Sequence, residues 1–304
     1  MPLIPIPAKV SWHVPNSSKS EKQLTIERVT HDGRQHEPDV VAAEEPLEIR
    51  VVFGPRERRR SKSLSITMRT PGHDEELAAG FLLSENILSD PQQIDSFEHV
   101  GPAPEGGAHG NTLMVELAVG VELEIEKLQR HFYTTSSCGI CGKASLDAVR
   151  NQGMTELDDS FSLDSGMLFG LPDAIRAQQD VFERTGGLHG AGLFAADGNL
   201  VAIREDVGRH NAVDKLVGSQ MIACSNSIST ARFALSAHVM VVSGRASFEL
   251  VQKALMARIP MMVAVGAPSS LAVELAREFN MTLIGFASQK RFNIYSGGQR
   301  VESQ

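Results

Sequence analysis

The sequence predicts an α/β protein in two parts, a smaller α+β N-terminal domain and a layered α/β C-terminal domain. Three observations predict it. Between residues 47 and 125, four short runs of alternating, β-branched-rich residues surround a single helical run. From residue 190 onward a hairpin is followed by strand-like runs at 239–242, 261–265 and 282–285 that alternate with helical ones, the rhythm of parallel strands joined by helices. Between these halves lies Thr134-Thr135-Ser136-Ser137-Cys138-Gly139-Ile140-Cys141-Gly142, where two of only three cysteines sit between glycines. The boundary is therefore placed near residue 135. An extended arm is expected over 1–40, an α+β domain over 41–135, and an α/β domain over 136–304 that opens with the cysteine segment.

Taken in order, residues 1–40 mix Pro, Ser, His and charged residues without a sustained period, although 23–30 alternates like a short edge strand. Runs 47–53 and 64–68 read as a hairpin joined by a long basic tip, 54–63, carrying Arg56, Arg58, Arg59, Arg60 and Lys62. A solvated loop is the simpler reading of that tip and a docking site the sharper one. After Pro71-Gly72, the acids Asp74, Glu75 and Glu76 suit the positive end of a helix whose apolar face, Leu77, Phe81, Leu82 and Ile87, packs on the sheet. Runs 112–118 and 121–125 read as two further strands. A helix can begin over 144–149, and a firmer one is expected over 172–184, with Pro near its start and Gly186-Gly187 at its end. Asp197-Gly198-Asn199 joins runs 190–196 and 200–203 as a hairpin.

Composition narrows the function classes. At 304 residues and 42% apolar content the chain can bury a large core. No apolar run approaches the ~18 residues of a membrane span, and the N-terminus lacks a signal peptide's basic-then-apolar order. A cytoplasmic protein with no membrane partner is expected. A net charge of −8 argues against nucleic-acid binding, so an anionic ligand needs a local basic patch. Three cysteines make a poor disulfide framework, and a reducing compartment keeps Cys138 and Cys141 as thiols.

Glycines around those thiols remove Cβ bulk and permit another sulfur to approach. Three chemistries compete for the Cys-x-x-Cys. Zinc lacks a second half-site, since Cys224 is isolated and reads as a passive small residue, so no metal is expected. A dithiol oxidoreductase wants a buried strand before its first cysteine, and Arg130-His131-Phe132-Tyr133 is not clearly one. A sulfur carrier needs one thiolate able to take and pass on a persulfide sulfur. The densest polar stretch runs from Arg204 to Lys215. It reads equally as caps and surface ion pairs or as a phosphate site using Arg209, His210 and Lys215. Ser243-Gly244-Arg245 and Gly266-Ala267-Pro268 each follow a strand and open a helix, and Gly285-Phe286 follows the last strand. These turns should share the edge where open α/β sheets bind ligands. His189 is as readily a structural histidine as a ligand contact.

The chain resembles the formate dehydrogenase accessory sulfurtransferases, the FdhD family of sulfur carrier proteins. The resemblance rests on Ser137-Cys138-Gly139-Ile140-Cys141-Gly142, Glu205-Asp206-Val207-Gly208-Arg209-His210-Asn211-Ala212-Val213-Asp214-Lys215, Ser243-Gly244-Arg245-Ala246-Ser247-Phe248-Glu249 and the closing stretch 285–295. It implies a homodimer that takes persulfide sulfur from a cysteine desulfurase and delivers it to the bis-molybdopterin guanine dinucleotide cofactor of a formate dehydrogenase. Cys138 matches the persulfide position, with Cys141 an auxiliary thiol. Phe286, Ala287, Ser288, Gln289, Lys290 and Arg291 match the cofactor-binding segment, and the larger domain is implied to be cytidine-deaminase-like without that fold's zinc-ligand pattern. A non-catalytic cofactor chaperone with a redox-sensitive cysteine lid is the alternative. Two departures stand out: Asn86 where relatives often carry Gly, and the longer basic tip.

Overall fold

Two sheets, each with its own hydrophobic core, are joined by a pair of crossing helices in the computed structural model, which describes residues 20–102, 110–123, 154–225 and 233–303. The N-terminal sheet contains β3 (Glu45–Phe53), β4 (Arg60–Arg69), β5 (Ile94–Val100) and β6 (Thr112–Leu117) in the order β4-β3-β6-β5. β3 and β6 run parallel and the other pairs antiparallel. Alternation works as expected here: Leu47, Ile49, Val51 and Phe53 are buried on one face with Leu113, Val115 and Leu117. β5 was not expected, because a register shift between Ile94 and Ser96 interrupts its period. The strand expected over 121–125 is absent at 121–123, and its remainder lies outside the described residues.

The expected arm is instead a ribbon over much of its length. β1 (Glu21–Thr30) and β2 (Gly33–Ala42) pair from Glu21↔Ala42 to Thr30↔Gly33. β1 takes in the edge strand expected over 23–30, whereas β2, whose outer half is solvated on both faces, leaves no apolar alternation to read. The basic tip is shorter than expected, because β4 begins at Arg60. Arg59 turns inward, donating to Gly54 O at 2.9 Å, to Glu116 at 3.0 Å and to Leu117 O, while the Arg60 guanidinium sits 5.0 Å from the Phe53 ring centroid.

α1 (Asp74–Ser84) has three acids in its first turn, as the sequence predicts. Leu77, Ala78 and Leu82 pack on the N-terminal sheet. Its other face lies against α4 (Arg209–Ser225) so closely that a Cβ on Gly80 would lie 1.9 Å from Asp214 O, and one on Gly218 1.8 Å from Glu76 O. Only glycine allows this backbone-to-backbone crossing. Asn86, just beyond α1, has φ of 55°, the left-handed conformation that Asn shares with Gly.

The C-terminal sheet has the order β13-β12-β11-β10-β8-β9, built from β8 (His189–Ala195), β9 (Leu200–Asp206), β10 (His238–Val242), β11 (Met261–Ala264), β12 (Thr282–Gly285) and β13 (Asn293–Ser296). β10, β11 and β12 are parallel; β8, β9 and β13 are antiparallel to their neighbours. One face buries Leu193, Met240, Met262 and Leu283 against α4, α5 (Phe248–Met256) and α6 (Ser270–Glu278). The other buries Phe194, Val241, Val263 and Ile284 with Leu168, Leu171 and Ile175 of α2 (Ser165–Arg176). This is the layered α/β arrangement the alternation predicts. β7 (Leu163–Asp164) and β14 (Val301–Glu302) pair in parallel as a short clasp.

The single helix expected over 172–184 is two. Asp164 caps α2 by accepting from Gly166 N at 2.8 Å, so Pro172 falls inside the helix rather than near its start. α3 (Asp180–Thr185) begins anew because the Glu205 carboxylate accepts from Val181 N and Phe182 N at 3.1 and 2.8 Å. Gly186, with φ of 66°, ends α3 as expected. Among the described residues no helix is long and apolar enough to cross a membrane.

Candidate functional site

Because β10, β11 and β12 are parallel, their carboxyl ends emerge on one edge, and the turns that follow are laced together by backbone bonds. Gly266 N donates to Gly244 O at 2.9 Å, Phe286 N to Gly266 O at 3.1 Å, and Ala246 N to Ala267 O at 3.2 Å. Antiparallel β8 starts at this edge with His189, and β9 ends there with Asp206, leading into Arg209 and His210. Gly190 N donates to Ser243 Oγ and Ser243 N to Gly190 O, both at 2.9 Å, which ties β8 to the turn after β10.

A cavity of about 560 Å³ opens between this edge and α2 and α3. Its apolar walls are Pro172, Ile175, Phe182, Leu188 and Val265; its polar groups come from Arg176, Gln179, His189, Ser243 and Ser288. Of the residues matched to the cofactor-binding segment, Ala287, Ser288 and Gln289 line it. Gln289 Nε2 donates to Asp173 of α2, while Ser288 N and Oγ both donate to Arg291 O, closing a turn that leaves Lys290 and Arg291 exposed. Phe286 is 42% exposed with φ of 53°. A bulky residue in that conformation is strained, as side chains at binding edges often are.

Cationic and imidazole groups gather beside the cavity. Arg245 is exposed on its turn, and Arg209 lies near His189 with its buried Nε lacking a partner among the described residues. Burial, with Arg209 second, lowers the His189 pKa, so its ring is neutral at pH 7. His210 is pushed down to about 4 by burial, then by Arg209 and Lys253; its Nε2 lies 3.4 Å from Ser247 Oγ and 3.9 Å from Glu249.

Lys215 does not join this edge. It is 1% exposed, and its Nζ reaches Asp206 Oδ2 at 2.6 Å and donates to Thr70 O at 2.7 Å. The ligand role read for it from local composition is replaced by an interlock between the two sheets. Asp206 also accepts from Thr70 N, Gly208 N and Asn211 Nδ2, while Asn211 Nδ2 donates to Met68 O. A second buried pair, Asp214 and Lys253 at 2.9 Å, takes in Ser84 of α1. The segment from Glu205 to Lys215 thus serves first to hold α1, β4 and α3 in place. The sequence reading missed Arg176, Gln179 and Phe182, which carry no motif and become a cavity wall only when α2 and α3 pack beside β8. Cys138 and Cys141 lie outside the described residues. Cys224 is exposed in the last turn of α4, about 22 Å along the helix from Arg209 at 1.5 Å per residue.

A family model for the FdhD/NarQ family matches residues 42–302. The chain belongs to the FdhD/NarQ family. The match takes in both sheets and begins at the last residue of the β1–β2 ribbon. Among FdhD/NarQ relatives, the sulfur carrier protein FdhD of Streptomyces avermitilis is 51% identical over 267 residues, covering 87% of this chain and 89% of that protein. That of Mycobacterium tuberculosis is 46% identical over 269 residues, covering 87% and 92%. A crystal structure described as a putative formate dehydrogenase accessory protein, from Desulfotalea psychrophila, has the same fold, with a TM-score of 0.68 at 24% identity over 93% of this chain and 99% of that one.

Proposed function

We propose that this protein is a sulfur carrier that accepts persulfide sulfur on Cys138 from a cysteine desulfurase. It delivers that sulfur to the bis-molybdopterin guanine dinucleotide cofactor, its cargo, on behalf of a formate dehydrogenase in the cytoplasm. The observation that carries the reading is the cavity at the strand-end edge, where His189, Ala287, Ser288 and Gln289 converge beside Arg209, Arg245, Lys290 and Arg291. Its volume lies within the roughly 300–1,000 Å³ of ligand clefts, enough for the guanine nucleotide end of the cargo. The cationic rim suits the phosphates in a protein whose overall charge would repel them.

The Cys138 thiolate attacks the outer sulfur of the desulfurase persulfide, breaking its S–S bond and releasing the desulfurase thiolate. Attack of Cys141 on the inner sulfur of the Cys138 persulfide then expels hydrosulfide and leaves a Cys138–Cys141 disulfide for an external thiol to reduce. Family membership supports the carrier role, and the homodimer is part of the proposal. The strand order β9-β8-β10-β11-β12, covered by helices on both faces, supports reading the C-terminal layers as deaminase-like.

Intact-mass analysis after incubation with a cysteine desulfurase and cysteine tests the carrier reading. Wild type and Cys224→Ser gain one sulfur mapped to the cysteine segment, and Cys138→Ala does not. Full loading of Cys138→Ala, or none in wild type, refutes it.

A further inference from the structure

We propose that the basic tip between β3 and β4 is the docking surface for the persulfide donor, presenting Arg56, Arg58, Arg60 and Lys62 to an acidic face of that protein. This deepens the reading of the chain as a sulfur carrier and rests on it. From Gly54 to Met68 the chain carries five cations and a single acid, Glu57, in a protein whose net charge is −8. Arg56, Arg58 and Arg60 are exposed and Lys62 is half-buried, and none of the four has an ion-pair partner among the described residues. Like charges held this close repel one another, and a partner bearing carboxylates relieves that repulsion.

The tip is built to hold these charges in position. Arg56–Arg58 form a 3-10 turn closed by Arg58 N donating to Pro55 O at 2.9 Å, Arg59 fastens the turn to Gly54 O and to β6, and Arg60 lies over the Phe53 ring. A surface already ordered loses little entropy on binding. Its place on the molecule selects the partner. β4 runs from Arg60 to Arg69, about 30 Å at ~3.3 Å per residue, before Thr70 bonds Asp206 at the strand-end edge. With screening setting in beyond about 8–10 Å, the tip contributes nothing to cargo phosphates there. At the tip itself, Arg59 grips Glu116 and Leu117 O at the end of β6, and beyond them Val121 and Leu123 pack against the core that contains Phe53. The stretch that leads on to Cys138 starts at this corner. A donor seated on the tip is therefore beside the root of that stretch, and the distant edge stays free for the cargo. The acidic remainder of the surface repels an acidic donor, which favours this one orientation.

Sulfur loading from a cysteine desulfurase at sub-saturating concentration, followed by intact mass against time, tests this. At low salt, Arg56→Glu with Arg58→Glu is expected to load at least about tenfold more slowly than wild type. Added salt slows wild type and leaves the tip variant nearly unchanged. Lys22→Glu with Arg34→Glu, exposed on the β1–β2 ribbon, alters net charge by the same amount and loads close to the wild-type rate. Glutathione persulfide, a donor too small to need a docking surface, loads all three proteins alike, which also shows that the variants are folded. A tip variant that loads from the desulfurase as fast as wild type, or a ribbon variant slowed as much as the tip variant, overturns the assignment. So does slow loading of the tip variant from glutathione persulfide, since the defect would then lie in the chemistry. Normal loading combined with failure to activate a formate dehydrogenase overturns it too, by making the tip a client surface. Failure of wild type to load from either donor overturns the carrier reading itself.

Discussion

Lys215 shows how far a residue's type is from its role. Beside Arg209 and His210 in the sequence it looks like a phosphate donor, yet its ammonium is enclosed with Asp206, which is itself 0% exposed. Removing one partner of such a pair leaves an uncompensated buried charge. Lys215→Ala is therefore expected to destabilise the protein by about 3–5 kcal/mol in urea unfolding, and the double variant Lys215→Met with Asp206→Asn by clearly less. Equal losses would mean that the charge pairing is not the reason. His210 gives a pH signature. Its folded pKa of about 4 lies below the ordinary 6.5, so between those values the unfolded chain binds a proton that the folded chain does not. Stability should fall as pH drops through that window. Glu76, held at about 2 by Arg204 and His73 against the opposing effect of burial, adds a loss that begins only as pH falls through the ordinary carboxylate range near 4.5. In pH-dependent urea titrations, His210→Gln should flatten the slope between pH 6.5 and 5 while leaving the fall below 4.5.

Among the elements, α1 does the joining. Its acids, its length and the face that meets the N-terminal sheet follow from local pattern, and Leu77 and Leu82 are where periodicity puts them. Its second face was not legible, because Ala79, Gly80 and Leu83 meet α4 from well over a hundred residues away. The glycines at that crossing are its signature. Gly80→Ala places a methyl 1.9 Å from Asp214 O, with backbone on both sides and no side chain able to yield. A loss of about 3 kcal/mol, the upper end of the usual overpacking cost, is expected, read as a fall in melting temperature by circular dichroism. At Gly72, where φ is +103° and nothing lies within 4 Å of a Cβ, Ala should cost only the backbone strain of about 1–2 kcal/mol. If the Gly72 variant is the worse of the two, the close crossing is not what constrains α1.

Across the whole molecule, a net charge of −8 leaves long-range attraction out of any account of nucleotide binding. On the proposed function, affinity comes from short contacts at the strand-end edge. Arg245→Ala is expected to weaken GDP binding about ten- to a hundredfold, the size of one charge-assisted hydrogen bond. Arg56→Ala with Arg58→Ala should leave it unchanged at moderate salt, where screening sets in beyond about 8–10 Å; Arg59 is excluded from that control because it anchors the tip to β6. Nucleotide binding lost in the tip variant and kept in Arg245→Ala would relocate the site. The sequence by itself determined the N-terminal sheet's buried face, the strand and helix alternation, and the edge where small-residue turns collect, because each depends on contacts within a few residues or on the alternation of neighbouring segments. The tertiary structure alone decided which charged groups stay at the strand-end edge and which hold the sheets together. Lys215 meets Thr70 across 145 positions, and Ser84 meets Lys253 across 169. It also made Gln179 a cavity residue. Burial and partnership depend on what packs from distant parts of the chain, and neither residue type nor spacing encodes that locally.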